Sequence, residues 1–352
     1  MEVIDLFEKY YVIIIFLIGL VVTASSNRKL AKCDMHFGVV ILLVLALLFA
    51  ISSGGWDKPY YAARFIDARD YYGLGQEKYN DSLWIYYQIF LGALFNKNTT
   101  LCFVVTALIY CLSYFCVGKR FVDNKYGGYF VLLTVGCLCF DSYGDNVIRQ
   151  GVALACLLYA FSSRNRIIGI LFCIIAVSFH KSTAIPLLAY IVSGFIHKTK
   201  WFEWLWLMCL VLSMANLNLT PFFESIGFID NRVSQYIVEE RSGYYSSGFR
   251  IDFILYSVAP ILFVKYYFTK IPTIAPIYYK VYSSYLLVNA LWLLVIRMDY
   301  TDRFAYLSWF MIPFLITYPC LNYNEKLRSP SKILLLSFVI FCGLTIVLAF
   351  KS

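Results

Sequence analysis

The sequence predicts an all-α integral membrane protein: a polytopic helical bundle of about twelve transmembrane helices, one shorter half-helix and two long outer loops. Three observations lead there. First, 61% of the 352 residues are hydrophobic and only 14% charged, too few charges to coat a soluble domain of this size. Second, apolar runs recur along the whole chain, each about long enough to cross ~30 Å of hydrocarbon as a helix. Third, the basic residues separate by side once those runs are laid across a bilayer. Period-two alternation is absent, which argues against an outer-membrane barrel.

The elements follow in chain order. The run at 10–26 comes after Glu2, Asp5 and Glu8 rather than a basic region, and lacks a small-residue cleavage site. It reads as a retained first span, not a signal peptide. A second span at 37–53 precedes the first long outer loop, from Gly54 to about Asn98. Within that loop the apolar piece at 83–95 is too short for a full crossing and reads as a half-helix or interfacial segment. Six spans then follow closely, at 99–118, 127–141, 147–161, 167–180, 182–196 and 201–219. The second outer loop runs from Leu219 to Arg250. Inside it Phe222, Ile226, Ile229, Val233 and Ile237 recur at helical spacing, as in a helix lying on the membrane or against the bundle. Four last spans fall at 251–268, 278–296, 304–321 and 333–350. No linker, repeat or charge block divides the chain, so residues 1–352 read as one membrane domain.

Placing the Arg28, Lys29 and Lys32 loop in the cytoplasm puts 16 basic and 4 acidic residues on that side, a net +12. The other 14 basic and 17 acidic residues give −3 outside. Counting 83–95 as a full crossing would spoil this separation. The net +9 therefore reports topology and not nucleic-acid binding. The 19% aromatic content is read as an interfacial belt, much of it Tyr near segment ends. Ten of the 11 cysteines lie inside predicted spans and Cys33 in a cytoplasmic loop, so no disulfide framework is expected.

Basic residues on the outer side need a reason, because the rule disfavours them there. Arg149 begins a span after Asp145 and Asn146. His180 and Lys181 sit at a turn between two apolar runs. Arg297 and Arg303 bracket a tight outer turn holding Asp299 and Asp302. Arg241 and Arg250 lie in the second outer loop. Arginine is always charged and presents a planar fork of donors suited to phosphate. Converging arginines at an outer cavity would suit a lipid-linked pyrophosphate. The plainer reading is that each arginine pairs with a local acid or reaches for lipid headgroups. His180, the single outer histidine, could serve as a general base near neutral pH or be a helix-end residue bonded to backbone. No phosphate-binding Gly-rich loop or Gly-x-Ser-x-Gly elbow is present. One outer histidine and no outer cysteine argue against a zinc site, and no cofactor is expected.

Three short motifs carry a resemblance. Asn146-Val-Ile-Arg-Gln-Gly-Val-Ala153 opens an apolar helix, Phe179-His-Lys-Ser182 opens the next outer turn, and Ile66-Asp-Ala-Arg-Asp-Tyr-Tyr72 lies in the outer loop before both. In this order they resemble the EpsG-like branch of the Wzy polymerases, which polymerise O-antigen and exopolysaccharide repeat units. The resemblance implies catalytic roles for Arg149, His180 and Asp70, and a substrate role for Gln150. Related sequences often carry a Glu just before the segment after the first outer loop; here Asp81 stands near that place, with Glu77 upstream. Arg297, Arg303, Arg241, Arg250 and Asp299 are the further candidates for substrate binding, and no metal ligand is assigned.

What the resemblance implies is a metal-independent glycosyltransferase of the bacterial inner membrane, multi-pass, with its site facing the periplasm. Its substrates would be undecaprenyl-pyrophosphate-linked oligosaccharides, and a chain-length regulator in the membrane is a candidate partner. Two alternatives stand beside it. Another polyprenyl-phosphosugar-dependent glycosyltransferase or ligase would need the same arginine-lined cavity. A lipid-linked oligosaccharide flippase should instead carry charge along mid-membrane, where these spans have almost none.

Overall fold

The computed structural model describes residues 2–24, 30–52, 55, 57–72, 81–216, 248–298 and 301–351. Among them are sixteen α-helices and no strand. They are α1 (Glu2–Ala24), α2 (Met35–Ile51), α3 (Lys58–Tyr72), α4 (Ser82–Leu94), α5 (Thr99–Phe121), α6 (Gly127–Gly136), α7 (Leu138–Asp145) and α8 (Ile148–Ser162). There follow α9 (Arg166–Phe179), α10 (Ala184–Phe195), α11 (Thr199–Met214), α12 (Ile251–Lys270), α13 (Pro276–Leu294), α14 (Thr301–Trp309), α15 (Ile312–Asn322) and α16 (Pro330–Lys351).

Four stretches among the described residues are long and apolar enough to cross a membrane: Thr99–Phe121, Ile251–Lys270, Thr301–Asn322 and Pro330–Leu348. Tyr10–Ala24, Met35–Ile51, Ser82–Leu94, Ile148–Ser162 and Arg166–Phe179 are apolar but shorter. Several starts are set by side chains that accept orphan amides. Asp34 accepts from Phe37, Asn98 from Leu101, and Asn165 from both Ile167 and Ile168.

The structure departs from the sequence reading in three places. The expected run at 127–141 is two helices, because Cys137 adopts an extended backbone (φ −80°, ψ 140°) between α6 and α7. The run at 304–321 is kept within one membrane-length stretch, Thr301–Asn322, with a turn at Phe310 and Met311 between α14 and α15. The first outer loop contains a helix, α3, kinked at Asp67 (φ −146°, ψ 60°); its polar sequence hid it from a search for apolar runs. Finally, much of the tyrosine is core. Tyr110, Tyr267 and Tyr285 are wholly buried and donate to the Phe140, Ile316 and Ser257 carbonyls at 3.0, 2.7 and 2.7 Å. A buried phenol is tolerated when its hydroxyl finds an acceptor. The helix expected at 222–237 lies outside the described residues.

The chain divides into two compact units. The first comprises Met1–Ala184, Lys265–Thr273 and Ile312–Ser352; the second comprises Ile185–Val264 and Ile274–Met311. In the first unit, every residue of α6 is buried, and α1, α2, α5, α15 and α16 pack on it. Its sequence, GGYFVLLTVG, carries no charge and so can be apolar on all sides. In the second unit, α13 packs on α11 and α14. Asn289 of α13 is wholly buried there. It accepts from Trp206 Nε1 (2.8 Å) and donates to the hydroxyls of Ser257 (3.1 Å) and Ser308 (2.9 Å).

Helix α4 matches the half-helix expected at 83–95. Its 13 residues reach about 20 Å, short of the ~30 Å core. Tyr86, Phe90 and Leu94, at helical spacing, are exposed, whereas Trp84, Gln88 and Leu91 are buried. Asn96 and Lys97 then take left-handed backbone (φ 48° and 65°) to turn the chain into α5.

Candidate functional site

The site is built in the first unit from the starts of α4 and α8 and the end of α9. Asp81 occupies the N-cap position of α4, where an aspartate ordinarily accepts an amide of its own first turn. Here it makes no side-chain cap bond. Both carboxylate oxygens are committed elsewhere, to residues 68 to 100 positions away. Oδ2 accepts from Arg149 Nη1 at 2.7 Å and lies 3.2 Å from His180 Nδ1. Oδ1 accepts from the Lys181 amide at 3.1 Å.

Arg149 is the second residue of α8. A cation in the first turn faces the positive end of the helix dipole, so this is locally the wrong place for it. The Asp81 carboxylate offsets that repulsion. Among the described residues Asp81 pairs with this guanidinium, which has five donors to offer. The side chain keeps 17% of its surface open.

His180 ends α9 with extended backbone (φ −156°, ψ 115°), and Lys181–Thr183 then form one 3₁₀ turn. Thr183 closes that turn on the His180 carbonyl through both its hydroxyl (2.7 Å) and its amide (3.0 Å). Gln150 of α8, 3% exposed, donates to the Ser182 hydroxyl at 3.3 Å and so ties the turn to α8. Behind the cluster the Trp84 ring packs against Tyr61, Tyr87 and Phe179 with centroids 5.6, 5.3 and 5.8 Å apart, fixing α4 against the end of α9.

Burial by itself would raise the Asp81 carboxyl. The His180 hydrogen bond, the Arg149 and His180 charges and the Lys181 amide outweigh it and hold the group at about 2. Asp81 is therefore ionised across the working pH range. An ionised carboxylate only accepts, so the proton sits on His180 Nδ1, and in the neutral ring Nε2 carries the basic lone pair.

Of the residues singled out in the sequence, the structure brings together Arg149, Gln150 and His180, and it supplies Asp81 as the common acid of Arg149 and His180. Asp70 lies in α3, but its side chain is outside the described set, as are Arg241 and Asp299 altogether. Three arginines belong to the second unit. Arg250 forms a two-pronged pair with Asp252 (2.9 and 2.8 Å) and covers the Phe253 ring at 3.6 Å. Arg250 and Arg303 both act electrostatically on Asp302. Arg297 covers the Phe249 ring at 5.1 Å and reaches the Ser213 carbonyl at the end of α11 at 3.5 Å.

The arrangement is thus a carboxylate that orients an imidazole and an arginine side by side at the ends of apolar helices. The EpsG family matches this chain over residues 35–352, a range that contains the whole cluster. The chain belongs to the EpsG family. No curated protein and no solved structure matches it. EpsG membership makes it a membrane protein of polysaccharide-polymerase-like, glycosyltransferase-like type. Asp81 is what the motifs left open. In the sequence it shows only as an acid standing directly before the half-helix, at the N-cap position of α4.

Proposed function

We propose that this EpsG-family protein polymerises undecaprenyl-pyrophosphate-linked oligosaccharide repeat units into a surface polysaccharide, on the periplasmic face of the bacterial inner membrane. The supporting observation is the Asp81 carboxylate that joins Arg149 at 2.7 Å and His180 at 3.2 Å. In this reading, His180 Nε2 takes the proton from a hydroxyl of the incoming lipid-linked unit. The freed oxygen bonds to the anomeric carbon of the growing chain, and the bond from that carbon to pyrophosphate breaks. Undecaprenyl pyrophosphate leaves with the bonding pair. Asp81 holds the ring in the required tautomer and favours the imidazolium that forms. Arg149 meets the charge developing on the departing phosphate, where fixed donors are most effective.

Gln150 sets the His180 turn beside the substrate. Arg297, Arg303, Arg241, Arg250 and Asp299 are the proposed contacts to the lipid-linked glycan, and Asp70 a second acid. A membrane chain-length regulator would be the protein partner. The reaction draws on side chains alone in this scheme: pyrophosphate is already a good leaving group, and the main task is to align two lipid-linked substrates.

Arg149→Ala tests the reading. The variant should insert normally and leave glycans of a single repeat, with polymerisation slowed about 10²- to 10³-fold, read on gels of the lipid-linked product. Glycan of normal length would refute the assignment. Unpolymerised repeats accumulating on the cytoplasmic side, instead of the periplasmic side, would favour a flippase.

A further inference from the structure

Asp145 and Asn146 form the elbow between α7 and α8, four and three residues before Arg149. One flank of that elbow reaches Asp81 and the His180 turn through Arg149 and Gln150. Its other flank is clamped by Ser52, Gly55, Asp57 and Lys58. Lys58, whose side chain is only 5% exposed, donates to the Phe49 carbonyl (2.6 Å), the Ser52 carbonyl (2.9 Å) and the Ser52 hydroxyl (2.6 Å). Its ammonium lies 3.4 Å from Asp145 Oδ1, and the Ser52 hydroxyl donates to that same oxygen at 2.7 Å. The Asp57 amide donates to Asn146 Oδ1 at 3.0 Å. Gly55 presses on Asn146 so closely that an added Cβ would stand 2.7 Å from the asparagine Cβ and Cγ.

The elbow is rigid on its own account too. The amides of Asn146 and Val147 both donate to the Ser142 carbonyl, at 3.0 and 2.7 Å. Gly151 lets α8 lie against α7, where a Cβ would meet the Tyr143 carbonyl oxygen at 2.7 Å. A shift of Ser52, Gly55, Asp57 or Lys58 is therefore passed to Arg149 and not absorbed between the helices. A buried ammonium–carboxylate pair is seldom more stabilising than apolar packing of the same volume, so stability gives little reason to place one here. Fixing a register does give one.

We infer that Lys58, Asp145 and Asn146 are positioning residues for Arg149: together they clamp the α7–α8 elbow so that the guanidinium meets Asp81 beside His180. The inference rests on the catalytic reading of that cluster, and its test separates the two. The chain has three histidines. With His36 and His197 replaced by Gln, His180 is the one histidine left, and its carbethoxylation by diethyl pyrocarbonate, read at that residue, reports how firmly Asp81 holds it. The full-length protein in nanodiscs is assayed for this rate by mass spectrometry and, in parallel, for polymerisation of lipid-linked repeats. Two clamp variants are compared with the parent: Asn146→Ala, and Lys58→Met combined with Asp145→Asn, which leaves no lone buried charge.

Both variants should label His180 severalfold faster and polymerise about 10- to 100-fold more slowly, with kcat reduced and KM little changed. Lys200→Met, in the second unit, should alter neither. Unchanged labelling, whether or not polymerisation slows, overturns the clamp. Faster labelling with normal polymerisation upholds the clamp and overturns the catalytic reading of Arg149 and His180.

Discussion

Two polar clusters sit among the helices of this protein, one around Asn289 and one around Asp81, and they are built on opposite principles. Asn289 is wholly buried and every partner is neutral. Its oxygen takes the Trp206 indole proton and its amide serves Ser257 and Ser308. Ser257 in turn accepts from Trp309 Nε1 at 2.8 Å, and its carbonyl accepts from Tyr285. Both amide protons and the amide oxygen find partners within the unit. Around Asp81 the members are a carboxylate, a guanidinium and an imidazole, with 11%, 17% and 21% of their side-chain surface open. Neutral, closed bonding fixes helices relative to one another at little electrostatic cost. Charged groups at helix ends cost more to hold, and they carry proton-transfer and anion-binding capacity that an amide network lacks.

The largest expected effect breaks the comparison most cleanly. His180→Ala removes the proposed base and should lower kcat roughly 10²- to 10⁴-fold, measured as repeat units joined per enzyme per second, while the thermal unfolding midpoint in detergent moves little. Near-normal turnover would reduce the Asp81 cluster to a structural device like the one around Asn289. Asn289→Leu should do the reverse. It strips the Trp206 indole and two serine hydroxyls of a buried partner and should cost about 3 kcal/mol of stability. Turnover per folded molecule should stay within about twofold. A collapse of turnover with stability intact would mean that the second cluster, too, belongs to the machinery.

Helix content and most helix positions were legible in the sequence because apolar runs and short polar bridges report directly on what can sit in hydrocarbon. The misses have physical causes. The break at Cys137 leaves no mark, since a cysteine is as apolar extended as it is helical. Helix α3 is polar and owes its place to packing against α4, which composition does not record. Tyrosines read as an interfacial belt are core residues in several cases, because a phenol beside a spare helical carbonyl is cheap to bury. In the site, Arg149 and His180 stood out as charges that the sequence layout puts on the side where the positive-inside rule disfavours them. Asp81 was visible only as an acid near the right place. That it serves both groups depends on bringing positions 81, 149 and 180 within about 3 Å, a long-range fact that no local pattern encodes. Lys58 and Asp145 look in the sequence like ordinary loop charges.

The smallest effect sharpens the contrast through pH. The Asp81 carboxyl is depressed from an ordinary 3.8 to about 2. A depressed acid stabilises the folded state wherever it is ionised in both states, that is, above about 3.8, and loses that contribution as pH falls through about 2. The shift corresponds to on the order of 2 kcal/mol at neutral pH. Asp81→Asn should therefore unfold more easily than the parent protein at pH 7, and the gap between the two should narrow as pH drops from 4 towards 2. The Asn289→Leu penalty involves neutral groups and should stay constant over the same range. Unfolding midpoints of the three proteins in detergent, taken from pH 2 to 7, give both curves. If the Asp81→Asn gap were flat as well, the carboxylate would be contributing no more than its shape and hydrogen bonds, and charge would not be what distinguishes the two clusters.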